Sequence, residues 1–213
     1  MIVSLRTVFF GVLAALFLSA CGSNVKLAPP TIPEPLTEPI AMTVAVRMPE
    51  NFQNYVHEEE VLGREQWTID LGRSNAAFFE QLFGYMFTDM LLLDADDDPA
   101  LMTFDAMIEP SIDAFEFSVP AQTRTDSFAV WIRYRIKVFD GQGDLIADWP
   151  ISAYGKSLTT TMGGSDALQR AAVLAMRDAA ALMIMRLDDE TEIGSLAPRT
   201  AQATASPPGV PND

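Results

Sequence analysis

Phe128-Ala129-Val130-Trp131-Ile132-Arg133-Tyr134-Arg135-Ile136-Lys137-Val138-Phe139 is the stretch from which the fold is read. Phe128, Val130, Ile132, Tyr134, Ile136 and Val138 share one parity, and Trp131, Arg133, Arg135, Lys137 and Phe139 share the other. Side chains alternate across a strand, so this run is a long strand with one buried face. Asp140-Gly141-Gln142-Gly143 follows as a hairpin turn, with two glycines to take positive φ. Residues 144–158 return as the partner strand, interrupted at Trp149-Pro150.

Upstream, residues 101–119 form a second long strand region. Met102, Phe104, Ala106 and Ile108 keep one parity; beyond Pro110 the apolar positions switch to Phe115, Phe117 and Val119. A phase change beside a proline predicts a bulge or bend near a sheet edge. Residues 42–46 read as a first strand and 67–71 as a short second one closed by Gly72, with a polar, acidic loop over 51–66. Two helices complete the pattern. Residues 74–93 carry Phe78, Phe79, Leu82, Phe83, Met86, Phe87 and Met90 at three- and four-residue spacing, with Ser74 placed to cap the first turn. A second helix runs from Asp166 to about Leu187, with Ser165 as cap and a narrow stripe of Leu168, Ala171, Ala172, Ala175 and Ala179. The expected fold is α+β: one small, mostly antiparallel sheet with two helices packed on one face. The domain spans residues 41–193, and the Ala-, Pro- and Thr-rich residues 194–213 are expected to be a disordered tail.

The front of the chain sets location. Residues 1–20 begin with a positive amino terminus and Arg6, continue through an apolar core over 8–18, and end in small residues. That core is shorter than the ~20 residues needed to span a bilayer and matches a signal peptide. Leu18-Ser19-Ala20-Cys21 resembles the lipobox of bacterial lipoproteins. The resemblance implies that the Cys21 thiol receives diacylglycerol and becomes the first residue of the mature chain. Gly22, in place of an aspartate, implies onward sorting to the outer membrane, facing the periplasm. Cys21 is the only cysteine, so no intramolecular disulfide can form. Residues 21–40 contain Pro29, Pro30, Pro33, Pro35 and Pro39 and are expected to be an extended tether.

Charge narrows the partners. The chain carries 14 Lys+Arg against 29 Asp+Glu, a formal charge of −15, and cleavage after residue 20 removes only the basic Arg6. Phosphate backbones require a basic footprint, so nucleic acid is excluded as an expected partner. Acidity also disfavours flat docking on anionic lipid, leaving the covalent anchor as the membrane link.

Candidate chemistry is sparse. His57, the single histidine, lies in Val56-His57-Glu58-Glu59-Glu60, where carboxylates favour its charged form; it reads as a solvated loop residue, not a base or metal ligand. Asp94, Asp96 and Asp98 have alternate spacing with Asp105 at the twelfth place of a calcium loop. Pro99 stands where that loop needs glycine, so a solvated acidic loop is the expectation. No catalytic residue, metal or cofactor is therefore expected. The basic stripe Arg133, Arg135 and Lys137 beside Trp131 is the candidate binding face. Its cations either pair across strands with Asp105, Glu109 or acids of the returning strand, or receive an acidic, partly apolar partner.

The order of elements behind a lipobox and a Pro-rich segment resembles the small α/β envelope lipoproteins. These include the lipoprotein subunit of the LPS translocon, the auxiliary lipoproteins of ABC-type lipid transporters, and the YajG type. The resemblance implies a non-catalytic accessory or assembly component of an envelope complex; the alternative is a lipid- or glycan-binding carrier or sensor using the face around Trp131, Arg133 and Arg135.

Overall fold

A computed structural model describes residues 22–94, 96–159 and 163–189. Residues 1–20, Cys21 and the expected tail over 194–213 lie outside the described residues. The fold is α+β, as the alternation and helical spacing predict. Its frame is a five-stranded sheet in the order β5-β2-β6-β7-β8: β2 (Ile40–Arg47), β5 (Phe87–Leu93), β6 (Ala106–Ser118), β7 (Ser127–Asp140) and β8 (Leu145–Leu158). The β6-β7-β8 part is antiparallel, and β2 runs parallel to both of its neighbours. A smaller sheet, in the order β1-β4-β3, is built from β1 (Gly22–Lys26), β3 (Val56–Val61) and β4 (Glu65–Asp70). Four helices complete the described chain: α1 (Glu50–Gln53), α2 (Gly72–Met86), α3 (Pro120–Thr123) and α4 (Gly164–Asp189).

One face of the large sheet is the core. Val130, Ile132, Tyr134, Ile136 and Val138 of β7 point into it, as strict alternation requires. Helix α2 covers them with Phe78 and Phe79, whose rings lie 6.1 and 5.2 Å from that of Tyr134. Helix α4 lies over β7 and β8 on its alanine stripe, with Ala171, Ala172, Ala175 and Ala179 fully buried. The small sheet closes the remaining end of the same face: Trp67 packs on Phe117 and Phe128 at 5.5 and 6.0 Å.

Several elements depart from the sequence reading. The first helix stops at Met86, and residues 87–93 form the parallel edge strand β5. Ser74 is no cap; it is buried in the first turn and donates its hydroxyl to the Ala28 carbonyl at 3.0 Å. Ser165 likewise lies inside the first turn of α4. The expected loop over 51–66 holds α1 and β3. Strand β6 begins at Ala106, after a 3-10 turn at Pro99–Leu101. Its bulge falls between Ile112 and Ala114, just past Pro110. β2 pairs with β6 only as far as Ile108, so Pro110 sits where β6 is locally an edge. β8 runs through Pro150 without a break, which an outer strand tolerates. In the hairpin turn only Gly143 takes positive φ, at 89°.

The expected tether is the largest correction. Its first residues are strand β1, parallel to β4 from Gly22↔Gln66 to Lys26↔Asp70. Val25, Leu27 and Ile32 are each 3% exposed within the core cluster. The Ile32 amide donates to Gln81 Oε1 at 2.7 Å, and Arg177 Nη2 donates to the Thr31 carbonyl at 2.9 Å. The prolines therefore do not hold the domain away from residue 22; they follow a strand that is part of it.

At the centre of the core, the Tyr134 hydroxyl donates to Asn75 Oδ1, and Asn75 Nδ2 donates to the Leu71 carbonyl at 3.0 Å. Burial pushes the Tyr134 phenol well above its ordinary value of 10.0. The sign follows from linkage. Above pH 10 the unfolded tyrosine ionises while the folded one stays protonated, so its contribution to stability is full below pH 10 and is lost as pH rises. That loss is up to about 1.4 kcal/mol per pH unit from this one group. Tyr134→Phe is expected to remove that slope. It should also cost roughly 1–3 kcal/mol at neutral pH, because Asn75 Oδ1 loses its donor. Urea midpoints of both proteins between pH 8 and 11 check this; parallel curves would contradict it.

Candidate binding face

The opposite face of the large sheet carries Trp131, Arg133, Arg135, Lys137 and Phe139, as the second parity of β7 predicts. Their fates differ. Arg135 is fully engaged. Its Nη2 and Nε donate to Asp113 Oδ2 at 2.7 and 3.0 Å, and its Nη1 donates to Asp148 Oδ1 at 2.8 Å. Hydrogen bonds to Asp113, then to Asp148, hold this guanidinium above its already high ordinary value. The bulge makes the first contact available: Asp113 is the extra residue between Ile112 and Ala114, and it comes out on the solvent face. Cross-strand pairing with an acid of the returning strand holds for Asp148. It does not hold for Glu109, which takes Arg47 at 2.8 Å, nor for Asp105, which accepts from the Thr43 amide. Lys137 stands in register between Glu109 and Asp148 and ion-pairs with neither.

Arg133 is exposed and, among the described residues, its guanidinium makes no hydrogen bond or ion pair. Its register neighbours are Ala114 and Ser152, neither of them charged. One step along, Trp131 lies between Glu116 and Tyr154. The Trp131 and Tyr154 rings meet at 5.1 Å and 46°, and each residue is 43% exposed. Together with Glu116 and Ser152 they line an open groove of about 280 Å³. Phe139 belongs elsewhere, in a small apolar cluster with Ala45, Leu93, Met107 and Phe104 toward the far end of β7.

Tyr154 and Glu116 were not legible as site residues. The β7–β8 register shifts between Val138 and Phe139, so counting back from the turn sets Ala153, not Tyr154, beside Trp131. Glu116 needed the bulge to be placed at Asp113, which the apolar phase change between Ile112 and Phe115 does signal.

The other candidates resolve into structural roles. His57 is on β3, not in a loop; its ring packs 5.0 Å from that of Phe115, and its Nε2 lies 3.1 Å from Glu59 Oε2. Among the aspartates, Asp97 Oδ2 accepts from the Asp94 amide at 2.8 Å, and Asp98 Oδ1 accepts from the Ala100 amide at 3.0 Å. Those carboxylates close the turn into the 3-10 segment. Among the described residues no group of three or more His, Cys, Asp or Glu side chains is arranged to hold a metal ion, and no helix is long and apolar enough to cross a membrane.

No protein-family model and no curated protein matches the chain. Among solved structures, a hypothetical protein from Chlamydia trachomatis is 13% identical, with a TM-score of 0.42 over 70% of this chain and 96% of its own. A protein from Caulobacter crescentus, described as a candidate lipoprotein, is 9% identical with a TM-score of 0.36, over 57% of this chain and 79% of its own. A lipoprotein from Neisseria meningitidis is 10% identical with a TM-score of 0.33, over 70% and 99% of the two chains.

Proposed function

We propose that the chain is a non-catalytic accessory lipoprotein of the bacterial envelope, held to the outer membrane through Cys21. It binds a partner protein through the sheet face at Trp131, Arg133 and Tyr154. The observation that carries the binding face is the contrast between two arginines one pitch apart. Arg135 is satisfied by two carboxylates, whereas Arg133 has no partner among the described residues and stands beside a half-exposed aromatic pair. Trp, Tyr and Arg are the side chains that dominate interface hot spots, and a desolvated arginine gains most from an acidic group on the other side. The groove favours a protein surface over a carried lipid. It is an open depression on a sheet, whereas small-molecule sites are clefts that bury most of their ligand's surface. A glycan laid across the Trp131–Tyr154 rings is the second reading, favoured by the same exposed aromatic surface.

Arg133→Glu separates these roles. Because Arg133 holds no folded-state partner, the variant is expected to keep its unfolding midpoint within about 0.5 kcal/mol of the parent. A photocrosslinker at Lys156, on the same strand as Tyr154, should then capture a discrete protein adduct in the parent and lose it in the variant. Co-purified glycan with no protein adduct would transfer the assignment to the second reading.

A further inference from the structure

We propose that the tip of the β3–β4 hairpin, Leu62-Gly63-Arg64, is seated in the bilayer interface beside the acylated cysteine and fixes the orientation of the domain on the membrane. The inference rests on the reading of Cys21 as the anchor.

Topology places the tip on the membrane side. Strand β1 begins at Gly22, the residue after Cys21, and is in register with Gln66 at the start of β4. Neighbouring strands are about 4.8 Å apart, so Gly22, one peptide bond from the anchor residue, lies directly beside Gln66. Because β1 and β4 are parallel, both run away from the anchor, and the residues preceding β4 project back toward it. Those residues are the hairpin tip. Two steps from Gln66 to Arg64 add about 7 Å at ~3.4 Å per residue, which keeps the tip at headgroup range from the acyl chains.

The side chains fit that position. Leu62 is 60% exposed, with φ at 55°, a left-handed conformation rare for a branched apolar residue. Gly63 also has positive φ, at 66°, and the Arg64 amide donates to the Val61 carbonyl at 3.2 Å, so the tight hairpin turn itself holds Leu62 at the apex with its side chain exposed. Arg64 is exposed and, among the described residues, its guanidinium has no hydrogen bond or ion pair. An arginine flanking a buried leucine lays its stem along the apolar layer and keeps its charge among phosphates. Glu60 and Glu65 sit one step farther back, paired in register with Gln66 and Val61, where headgroup water can reach them. The opposite turn, with exposed Gln142, lies beyond the fourteen residues of β7. Phe128, at the start of β7, packs 6.0 Å from Trp67 near the base of the hairpin, so this turn is at the other end of the strand from it.

The test uses the mature lipidated chain, purified from its bacterial host and reconstituted in phosphatidylcholine vesicles. Acylation leaves Cys21 without a free thiol, so Leu62→Cys and Gln142→Cys each accept one environment-sensitive fluorophore. Both proteins should float with the vesicles. Lipid spin-labelled near the glycerol should quench the probe at position 62 several-fold more than at 142, with iodide showing the reverse order. Flotation of both proteins with equal quenching would overturn the hairpin contact alone. Failure of both proteins to float would overturn the anchor, and the hairpin contact with it.

Discussion

A chain that starts at Ile40, without residues 22–39, is expected to be unfolded or insoluble. Val25, Leu27 and Ile32 are each 3% exposed in the core. At about 1.5–3 kcal/mol for each fully buried side chain, their loss removes roughly 5–9 kcal/mol. Whole domains are stable by only about 5–15 kcal/mol. The deletion also leaves β4 without its parallel neighbour and takes the acceptor carbonyl of Ala28 from the buried Ser74 hydroxyl. A free tether makes the opposite prediction, an unchanged unfolding midpoint. Urea denaturation of chains beginning at Gly22 and at Ile40, followed by far-ultraviolet circular dichroism, decides between them.

The second large effect is at Gly155. Helix α4 crosses β8 so closely there that a Cβ on Gly155 would lie 2.0 Å from the Ala171 carbonyl oxygen and 2.4 Å from the Ala175 amide nitrogen. Both neighbours are helix backbone, which cannot rotate aside as a side chain does. Gly155→Ala must therefore lift the helix from the sheet along its alanine stripe. Overpacking typically costs about 1–3 kcal/mol and more where backbone must move, so a loss of roughly 3 kcal/mol or more is expected. At about 2–4 °C per kcal/mol for a domain of this size, the Tm should fall by roughly 6–12 °C. Gly84→Ala provides the contrast, because nothing lies within 4 Å of the added methyl and the position is inside helix α2. There the methyl is expected to stabilise by about 0.5–1 kcal/mol. Equal shifts at the two glycines would show that α4 does not pack on β8 in this way.

Both cases show what the sequence discloses. Strand β7 was legible because its alternation is local and unbroken, and the alanine stripe of α4 was legible for the same reason. Residues 87–93 were not. Phe87 and Met90 continue the helical spacing of α2, and only the free edge of β2, some forty residues earlier in the chain, draws them into a strand. Ser74 has a cap's chemistry, but its hydroxyl finds a distant carbonyl at Ala28 first. Strand β3 is concealed by charge: Glu58 and Glu60 point to solvent while His57 and Val61 turn inward, an alternation masked by three adjacent glutamates. The front segment misled because its five prolines all follow β1; the alternation of Val25 and Leu27 ahead of them is real but brief.

The binding face was half legible by the same logic. Trp131 and Arg133 were placed on it by parity alone. Arg135 was removed from it by an aspartate that a bulge brings out, and Tyr154 was added to it by a register shift. Both events are one-residue slips, and a one-residue slip exchanges the faces of a strand. Interaction surfaces on sheets are therefore the least secure part of a reading by alternation, even where the strands themselves are correct.

If Cys21 carries the lipid, the flush start of β1 holds an acidic domain against the bilayer with no spacer. The most direct measurement is growth of a bacterial host expressing the full chain with labelled palmitate, alongside Cys21→Ser, followed by membrane fractionation. Label is expected in the parent chain only, with the parent in the outer-membrane fraction and the variant released from it. A parent chain that takes up no label and washes out with the soluble extract would contradict the anchor.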